Sequence, residues 1–415
     1  MMNYKVRKIN KAISGQLTVP ASKSIANRLL IIQTLSGKSF KIDNLSTSDD
    51  TKVLFKALTS NEHLVDIGHA GTAMRFACAY FSNSKTVKRL TGSERMKNRP
   101  IGSLVDALKS LGADIEYTER EGYPPLLING KPLKGGNVSI DSSVSSQFIS
   151  ALLMIAPTFK EGLDLRLDND VISSSYIQMT IDIMKYMGVE VVSEENRLKV
   201  APQKYIGKDI FVEGDWSGVS YWYQMAAFAE NPEIFIKTLQ KESFQGDAAV
   251  AEVFKPFGIQ TDFFPDGIRI TKKAIKPDFF QFDFVENPDL VQTLAVTCVM
   301  LDIPFKFEGT QTLRIKETDR IAALQNELAK FGASLKYADN GILIWDGKKN
   351  KVESKSFTIP TYHDHRMALA FAPIALLGYD MIIEEPNVVN KSYPEFWNDL
   401  KLFGFDISEH REPES

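Results

Sequence analysis

The chain has 415 residues, a formal net charge of −3, 44% hydrophobic and 24% charged side chains, an ordinary globular composition. This length exceeds one compact core, so two or three domains are expected. The weak charge argues against a general nucleic-acid footprint, and no apolar run reaches the roughly 18–20 residues of a membrane span.

The opening MMNYKVRKIN lacks the apolar core of an export signal. Cys78 and Cys298 sit in apolar helical patterns and read as buried thiols of a reducing compartment. Both readings lead to a cytoplasmic expectation. A strand at 16–19 leads into ASKSIANR (21–28), where Lys23 and Ser24 open a helix and Arg28 follows one turn on. Backbone N–H groups, a hydroxyl and two cations at one helix start suit an anion. The glycine-rich lead of a Walker loop is missing. A helix at 49–58 follows, and TSNEHLVDIGHAG then leaves no room for a full hairpin before a helix at Gly71. HAGTAMR repeats the earlier logic: Gly71 admits close backbone approach, Thr72 caps and Arg75 lies one turn along. RMKNRP places Arg99 directly before a proline at a helix start.

Ser145, Ser146 and Gln147 open SSQFISALLMIAP, and Ser173 and Tyr176 begin another helix. Asp289 is expected to N-cap the apolar helix DLVQTLAVTCVM, as a carboxylate held ionised by nearby cations. In LRIKETDRIAALQNEL, Thr318 and Asp319 start a helix, with Lys316, Glu317 and Arg320 crowding the same end. A helix start favours acids, so two cations beside one carboxylate there imply a bound anion and a group that moves protons. HDHRMALAFAPIAL puts Arg366 at a further helix start. His363, Asp364 and His365 suggest a metal, but three consecutive residues opening a helix do not converge on one ion, and no metal is expected. Lys391, in NKSYPEFW, precedes a proline-started helix, and the tail SEHREPES is expected to fray.

An internal repeat runs through these elements. Helical patterns end in LGA, MGV, FGI, FGA and FGF, with glycines at 112, 188, 258, 332 and 404, spaced 76, 70, 74 and 72 residues apart. Glycine just past a helix end supplies the left-handed cap. After four of the five comes a strand–turn–strand signal such as VEVVSEENRLKVAP. Each unit is two helices and several strands, with the first copy trimmed or built differently. Helix starts carrying Lys, Arg and hydroxyls, recurring along such a repeat, point to one highly anionic small ligand or two anionic ligands together.

Taken in order, ASKSIANR, AGTAMR, LTGSERMKNRPIG, SSQFISALLMIAP, VEGD, QGD, LRIKETDR, DHRMA and Lys391 resemble the 5-enolpyruvylshikimate-3-phosphate (EPSP) synthase family over nearly the whole chain. The resemblance implies an α/β enolpyruvyl transferase fold of two domains, each of three βαβαββ units with the first shortened. Residues 1–19 with 216–415 would form one domain and 20–215 the other, with the active site in the cleft between them. It further implies shikimate-3-phosphate against Lys23, Ser24, Arg28, Ser145, Ser146, Gln147, Ser173, Tyr176, Asp289 and Lys316. Phosphoenolpyruvate would lie against Lys23, Gly71, Thr72, Arg99, Gln147, Arg320, Arg366 and Lys391. The implied chemistry is addition then elimination through a tetrahedral ketal, with Asp289 as base, Glu317 as proton carrier, and Lys23 and Lys391 assisting. No metal or organic cofactor is implied, and the chain is expected to be a monomer. Glyphosate is the implied inhibitor at the phosphoenolpyruvate site, where any β-carbon on Gly71 would point toward it.

The sequence departs from the family pattern at His69 and His363, where Asn is usual, at Phe76, where Pro is usual, and at Trp216 and Gly218 after VEGD. Two alternative readings fit less well. A UDP-N-acetylglucosamine enolpyruvyl transferase is disfavoured, because Lys23 is followed by Ser24 rather than Asn and no cysteine sits in an exposed catalytic loop. A non-catalytic sensor of shikimate phosphate would not need Asp289, Glu317 and Lys391.

Overall fold

Strands β1 (Asn3–Arg7) and β2 (Ser14–Thr18) come first, and both are completed only by strands far along the chain. The structure is a computed structural model and describes residues 2–37, 40–141, 145–169, 173–338 and 340–410. Residues 411–415 of the polar tail lie outside the described residues. Two compact units result, residues 21–212 and residues 1–20 with 213–415.

In residues 21–212, α1 (Lys23–Ser36) starts on Ser22, whose hydroxyl accepts the Ile25 N–H, and stops at Gly37 in the left-handed conformation. After β3 (Ile42–Asp43), α2 (Asp49–Thr59) carries Asp49 and Asp50 in its first turn, where the helix dipole favours acids. Next come β4 (Leu64–Asp66), α3 (Gly71–Ser82), β5 (Val87–Thr91), the short α4 (Glu94–Lys97), α5 (Gly102–Ser110), β6 (Asp114–Tyr117) and β7 (Leu126–Asn129). The pattern then recurs as β8 (Gly136–Asp141), α6 (Ser146–Ile155), β9 (Leu163–Asp168), α7 (Ser174–Tyr186), β10 (Val192–Glu194) and β11 (Arg197–Val200).

Sheet orders β4-β5-β7-β6 and β10-β11-β9-β8 each join a parallel, helix-crossed pair to an antiparallel hairpin, which is one βαβαββ unit. The third unit is reduced to β3 and β12 (Ile210–Phe211), which pair in parallel through Ile42–Ile210 and Asp43–Phe211. The expected shortening of the first repeat is therefore the loss of its hairpin, with α1 and α2 retained.

The other unit continues with α8 (Trp216–Phe228), β13 (Glu233–Lys237), the short α9 (Val250–Val253), β14 (Ile259–Phe264) and β15 (Gly267–Lys272). It then runs through β16 (Phe280–Asp283), α10 (Val291–Met300), β17 (Phe305–Glu308), α11 (Arg320–Ala329), β18 (Lys336–Ala338) and β19 (Ile342–Trp345). Last come β20 (Ser356–Ile359), α12 (His365–Phe371), β21 (Asp380–Glu384), α13 (Phe396–Leu402) and β22 (Asp406–His410). The sheets are β14-β15-β13-β2, β16-β17-β19-β18 and β20-β21-β1-β22. Three repeats thus stand in each unit, with β2 opening one sheet and β1 filling an inner place in another.

Helices α8 and α10 are buried on every side, which is why their sequences lack a polar face. Around them the core is aromatic: Trp222 lies 4.6 Å from Phe403 and Phe305 stacks 4.0 Å from Phe307, ring centre to ring centre. Each fully buried side chain of this size contributes about 1.5–3 kcal/mol, so the helix starts stand on a rigid base. The periodic glycines all take left-handed φ, from 79° at Gly404 to 101° at Gly112, as caps require.

One expected boundary moves. Asp289 does not N-cap its helix: Pro288–Leu290 forms a 3-10 turn, Asn287 takes the cap position and α10 starts at Val291. The Asp289 carboxylate is held instead by two guanidiniums. Charge-assisted bonds of that kind are roughly twice as strong as neutral ones, which explains the preference.

Candidate active site

In residues 21–212, Lys23 is the first residue of α1, and its ammonium lies 3.2 Å from the Asp50 carboxylate at the start of α2. The Lys23 side chain is 16% exposed and that of Asp50 5%, so the lysine faces outward from an acidic support. Arg28 is buried instead. Its Nε donates to Thr180 Oγ1 at 2.7 Å, one terminal nitrogen to Ser150 Oγ and the Tyr176 carbonyl, and the other to the Ser24 carbonyl at 2.9 Å. Burial pulls its pKa down to about 10. Arg28 therefore ties α1 to α6 and α7, and so fixes Ser24 and Tyr176 relative to one another.

Ser145 N-caps α6, its hydroxyl accepting the Gln147 N–H at 3.3 Å, and Ser146 follows as a buried side chain. The Gln147 amide donates to Thr72 Oγ1 at 3.2 Å, which brings the starts of α3 and α6 together. Ser173 takes the cap position of α7 with φ 58°. Gly71 begins α3 directly under the Arg99 guanidinium, so a β-carbon there would strike Arg99. This differs from the expectation that it would face a ligand. Arg75 is a brace rather than a surface cation, donating to the Gly71 and Pro100 carbonyls on either side of Arg99.

In the other unit, charged groups form one network. Arg320 donates Nε to Asp364 at 2.7 Å and its terminal nitrogens to Asp289 and Glu317 at 3.0 Å each. Arg366 reaches Asp289 Oδ2 at 2.7 Å and the Tyr221 hydroxyl at 3.3 Å. Lys391 donates to the other carboxylate oxygen of Glu317 at 2.7 Å. Exposure separates the members: Arg320 and Asp364 are 2% and 0% exposed, whereas Asp289, Glu317 and Lys391 are 20%, 16% and 10%. The last three are the more accessible members, and Arg320 and Asp364 form the buried base of the network. Burial alone would push the Asp289 carboxyl up, but Arg366, Arg320 and Lys316 outweigh it and hold it far below the usual carboxylate range. The same carboxylates hold the Arg320 guanidinium charged against its burial. Beside them Asp247 is pushed up to about 6, by burial first and then by the Asp289 charge.

His363 and His365 do not converge as metal ligands would. His365 is buried beside Asp364, while His363 is largely exposed and bonded to Glu385.

The model of the EPSP synthase (3-phosphoshikimate 1-carboxyvinyltransferase) family matches residues 7–60 and 54–400. The chain belongs to the EPSP synthase family. The 3-phosphoshikimate 1-carboxyvinyltransferase of Bacteroides fragilis strain YCH46 is 47% identical over 397 residues, covering 95% of this chain and 96% of the relative. The enzyme of that name from Vibrio atlanticus is 35% identical over 420 residues, covering 94% and 97%. The EPSP synthase structure from Acinetobacter baumannii shares the fold, with a TM-score of 0.77 at 21% identity, covering 98% of this chain and 100% of that one.

For this EPSP synthase family chain, sequence reasoning missed four supporting groups. Asp50, second of the acids opening α2, was read only as part of the helix at 49–58. Asp364 was weighed as a metal ligand rather than as the partner of Arg320. Asp247 entered as part of QGD, with no contact assigned, although it accepts from Ser217 and Asn287. Tyr221, inside a fully buried helix, carried no signal at all.

Proposed function

We propose that the chain transfers the enolpyruvyl group of phosphoenolpyruvate to the 5-hydroxyl of shikimate-3-phosphate and releases phosphate, a step of the shikimate pathway to chorismate. The observation that carries this is the network of Asp289, Glu317 and Lys391 in a chain 47% identical to a 3-phosphoshikimate 1-carboxyvinyltransferase over 95% of its length. In this reading shikimate-3-phosphate is held by Lys23, Ser24, Ser145, Ser146, Gln147, Ser173, Tyr176 and Lys316, with Arg28 behind them as the brace that fixes Ser24 and Tyr176. Phosphoenolpyruvate is held by Lys23, Gly71, Thr72, Arg99, Gln147, Arg320, Arg366 and Lys391. Joint binding by the two units is part of the same proposal.

Asp289 takes the proton of the 5-hydroxyl as its oxygen attacks carbon 2 of phosphoenolpyruvate, and Glu317 delivers a proton to carbon 3. The tetrahedral ketal forms. Carbon 3 then returns its proton to Glu317, the bond from carbon 2 to the phosphate oxygen breaks, and the departing phosphate takes up the proton held by Asp289, leaving the enolpyruvyl ether and phosphate. A carboxylate held as low as Asp289 is a weak base while two guanidiniums occupy it. The anionic groups of phosphoenolpyruvate, by drawing on Arg366 and Arg320, raise its proton affinity when that ligand is in place. Lys391 charges against Glu317 and against the leaving phosphate in turn, a stabilisation that matters most where water is excluded. The same reading makes the protein a cytoplasmic monomer and glyphosate a competitor of phosphoenolpyruvate.

The test is phosphate release and product mass from purified protein. Release that needs both shikimate-3-phosphate and phosphoenolpyruvate is the expected result. Release only with UDP-N-acetylglucosamine as acceptor, or binding without turnover, overturns it.

A further inference from the structure

The segment before α12 contains a turn that its sequence does not favour. The Asp364 N–H bonds to the Thr361 carbonyl at 2.9 Å, and the two residues between, Tyr362 and His363, have φ 54° and 56°. A turn with both central residues left-handed is the province of Asn, Asp and Gly. Other side chains persist at both positions only where the surroundings over-determine them.

Each of the two unfavoured residues has a specific partner. The Tyr362 hydroxyl donates to Glu327 at 2.6 Å, and Glu327 is a buried residue of α11, the helix that begins with Arg320. His363 Nδ1 lies 2.8 Å from the Glu385 carboxylate. Glu385 is itself left-handed, with φ 47°, and sits at the start of the turn Pro386–Lys391 that ends on Lys391. The next residue after the strained pair, Asp364, bonds both the Arg320 guanidinium and the Arg366 N–H. Three segments carrying Arg320, Arg366 and Lys391 thus meet through side chains of a single turn.

We propose that Tyr362 and His363 are positioning residues that hold the three cation-bearing segments in register, and that the left-handed backbone is kept for this purpose. The inference rests on the functional reading above. Neither residue touches the Asp289–Glu317–Lys391 group, so both act through Asp364, Arg320 and the 386–391 turn.

The variants are His363→Asn, Glu385→Gln, their double and Tyr362→Phe. Asn fits the left-handed turn better than His, so the melting temperature of His363→Asn is expected to hold or rise. Its kcat/KM for phosphoenolpyruvate should fall roughly fivefold, the scale of one side-chain hydrogen bond. Glu385→Gln should match it, and the double variant should be no worse than either single one. Tyr362→Phe should raise KM for phosphoenolpyruvate. In each of the four, amide hydrogen exchange in residues 386–393 should quicken. Wild-type kinetics, additive losses, or unchanged exchange in that segment overturns the inference. If the wild-type protein releases no phosphate from the two substrates, the functional reading falls, and the exchange comparison still decides whether the turn holds the Lys391 segment.

Discussion

Replacing Gly71 by Ala separates two explanations of why glycine stands at the start of α3. The backbone does not require it, because Gly71 is not among the left-handed residues, and Ala at a helix position gains up to about 1 kcal/mol over Gly. Stability should therefore hold or rise. The added β-carbon meets only the end of the flexible Arg99 side chain, so the guanidinium moves and the helix stays. Losing one hydrogen bond from a charged group costs about 1.5–3 kcal/mol, which is roughly 10- to 150-fold in affinity. The loss should be read in kcat/KM for phosphoenolpyruvate at saturating shikimate-3-phosphate. In an Arg99→Ala background the same substitution should have almost no effect, since nothing remains to displace. An undiminished loss in that background would refute the reasoning and show the β-carbon acting on the ligand itself.

Asp289→Asn removes the negative partner of Arg320 and Arg366; turnover should nearly vanish while affinity for phosphoenolpyruvate rises, and a titration showing weaker binding would count against the network as described. Asp399, pushed up to about 6 by burial while it accepts from Tyr393, gives stability that is present below about pH 4 and lost as pH rises through 6. Asp399→Asn should therefore be more stable than wild type by about 1–3 kcal/mol near pH 8 and show no such gain near pH 4; a difference independent of pH in urea melts would sink this. Arg28→Lys leaves the Thr180 and Ser150 hydroxyls short of a donor and should cost about 2–4 kcal/mol; near-wild-type unfolding midpoints would mean that Arg28 is no brace.

The repeat was legible because its markers are local. A glycine past a helix end reports a left-handed φ, and five such glycines at regular spacing report five copies. Cation-rich helix starts were legible for the same reason, since Lys23, Arg320 and Arg366 each stand in or beside a first helical turn. Long-range partners were not. The Arg320–Asp364 bond spans 44 residues, and no periodicity in sequence points from one to the other. Asp289 was misread as a cap because a carboxylate before an apolar run is ambiguous until its guanidinium partners are known. Arg28 reads as an exposed ligand group in ASKSIANR, yet the hydroxyls of Ser150 and Thr180, more than 120 residues away, give it a buried seat.

The placement of β1 and β2 bears on how the protein is made. Residues 21–212 complete every one of their sheets among themselves, so they can fold while later residues are still being synthesised. β2 waits for β13, and β1 waits for β21 and β22, where Asn3 finally faces His410. At about 5–20 residues per second, β1 spends roughly 20–80 seconds on the ribosome with no partner. An unpaired strand of that age is an invitation to aggregate. The sequences NYKVR and SGQLT are short and polar, with two cations in the first and a glycine in the second. Charges and breakers of this kind keep waiting strands from pairing with the wrong chain, so these two early strands suit the long delay before their sheets exist.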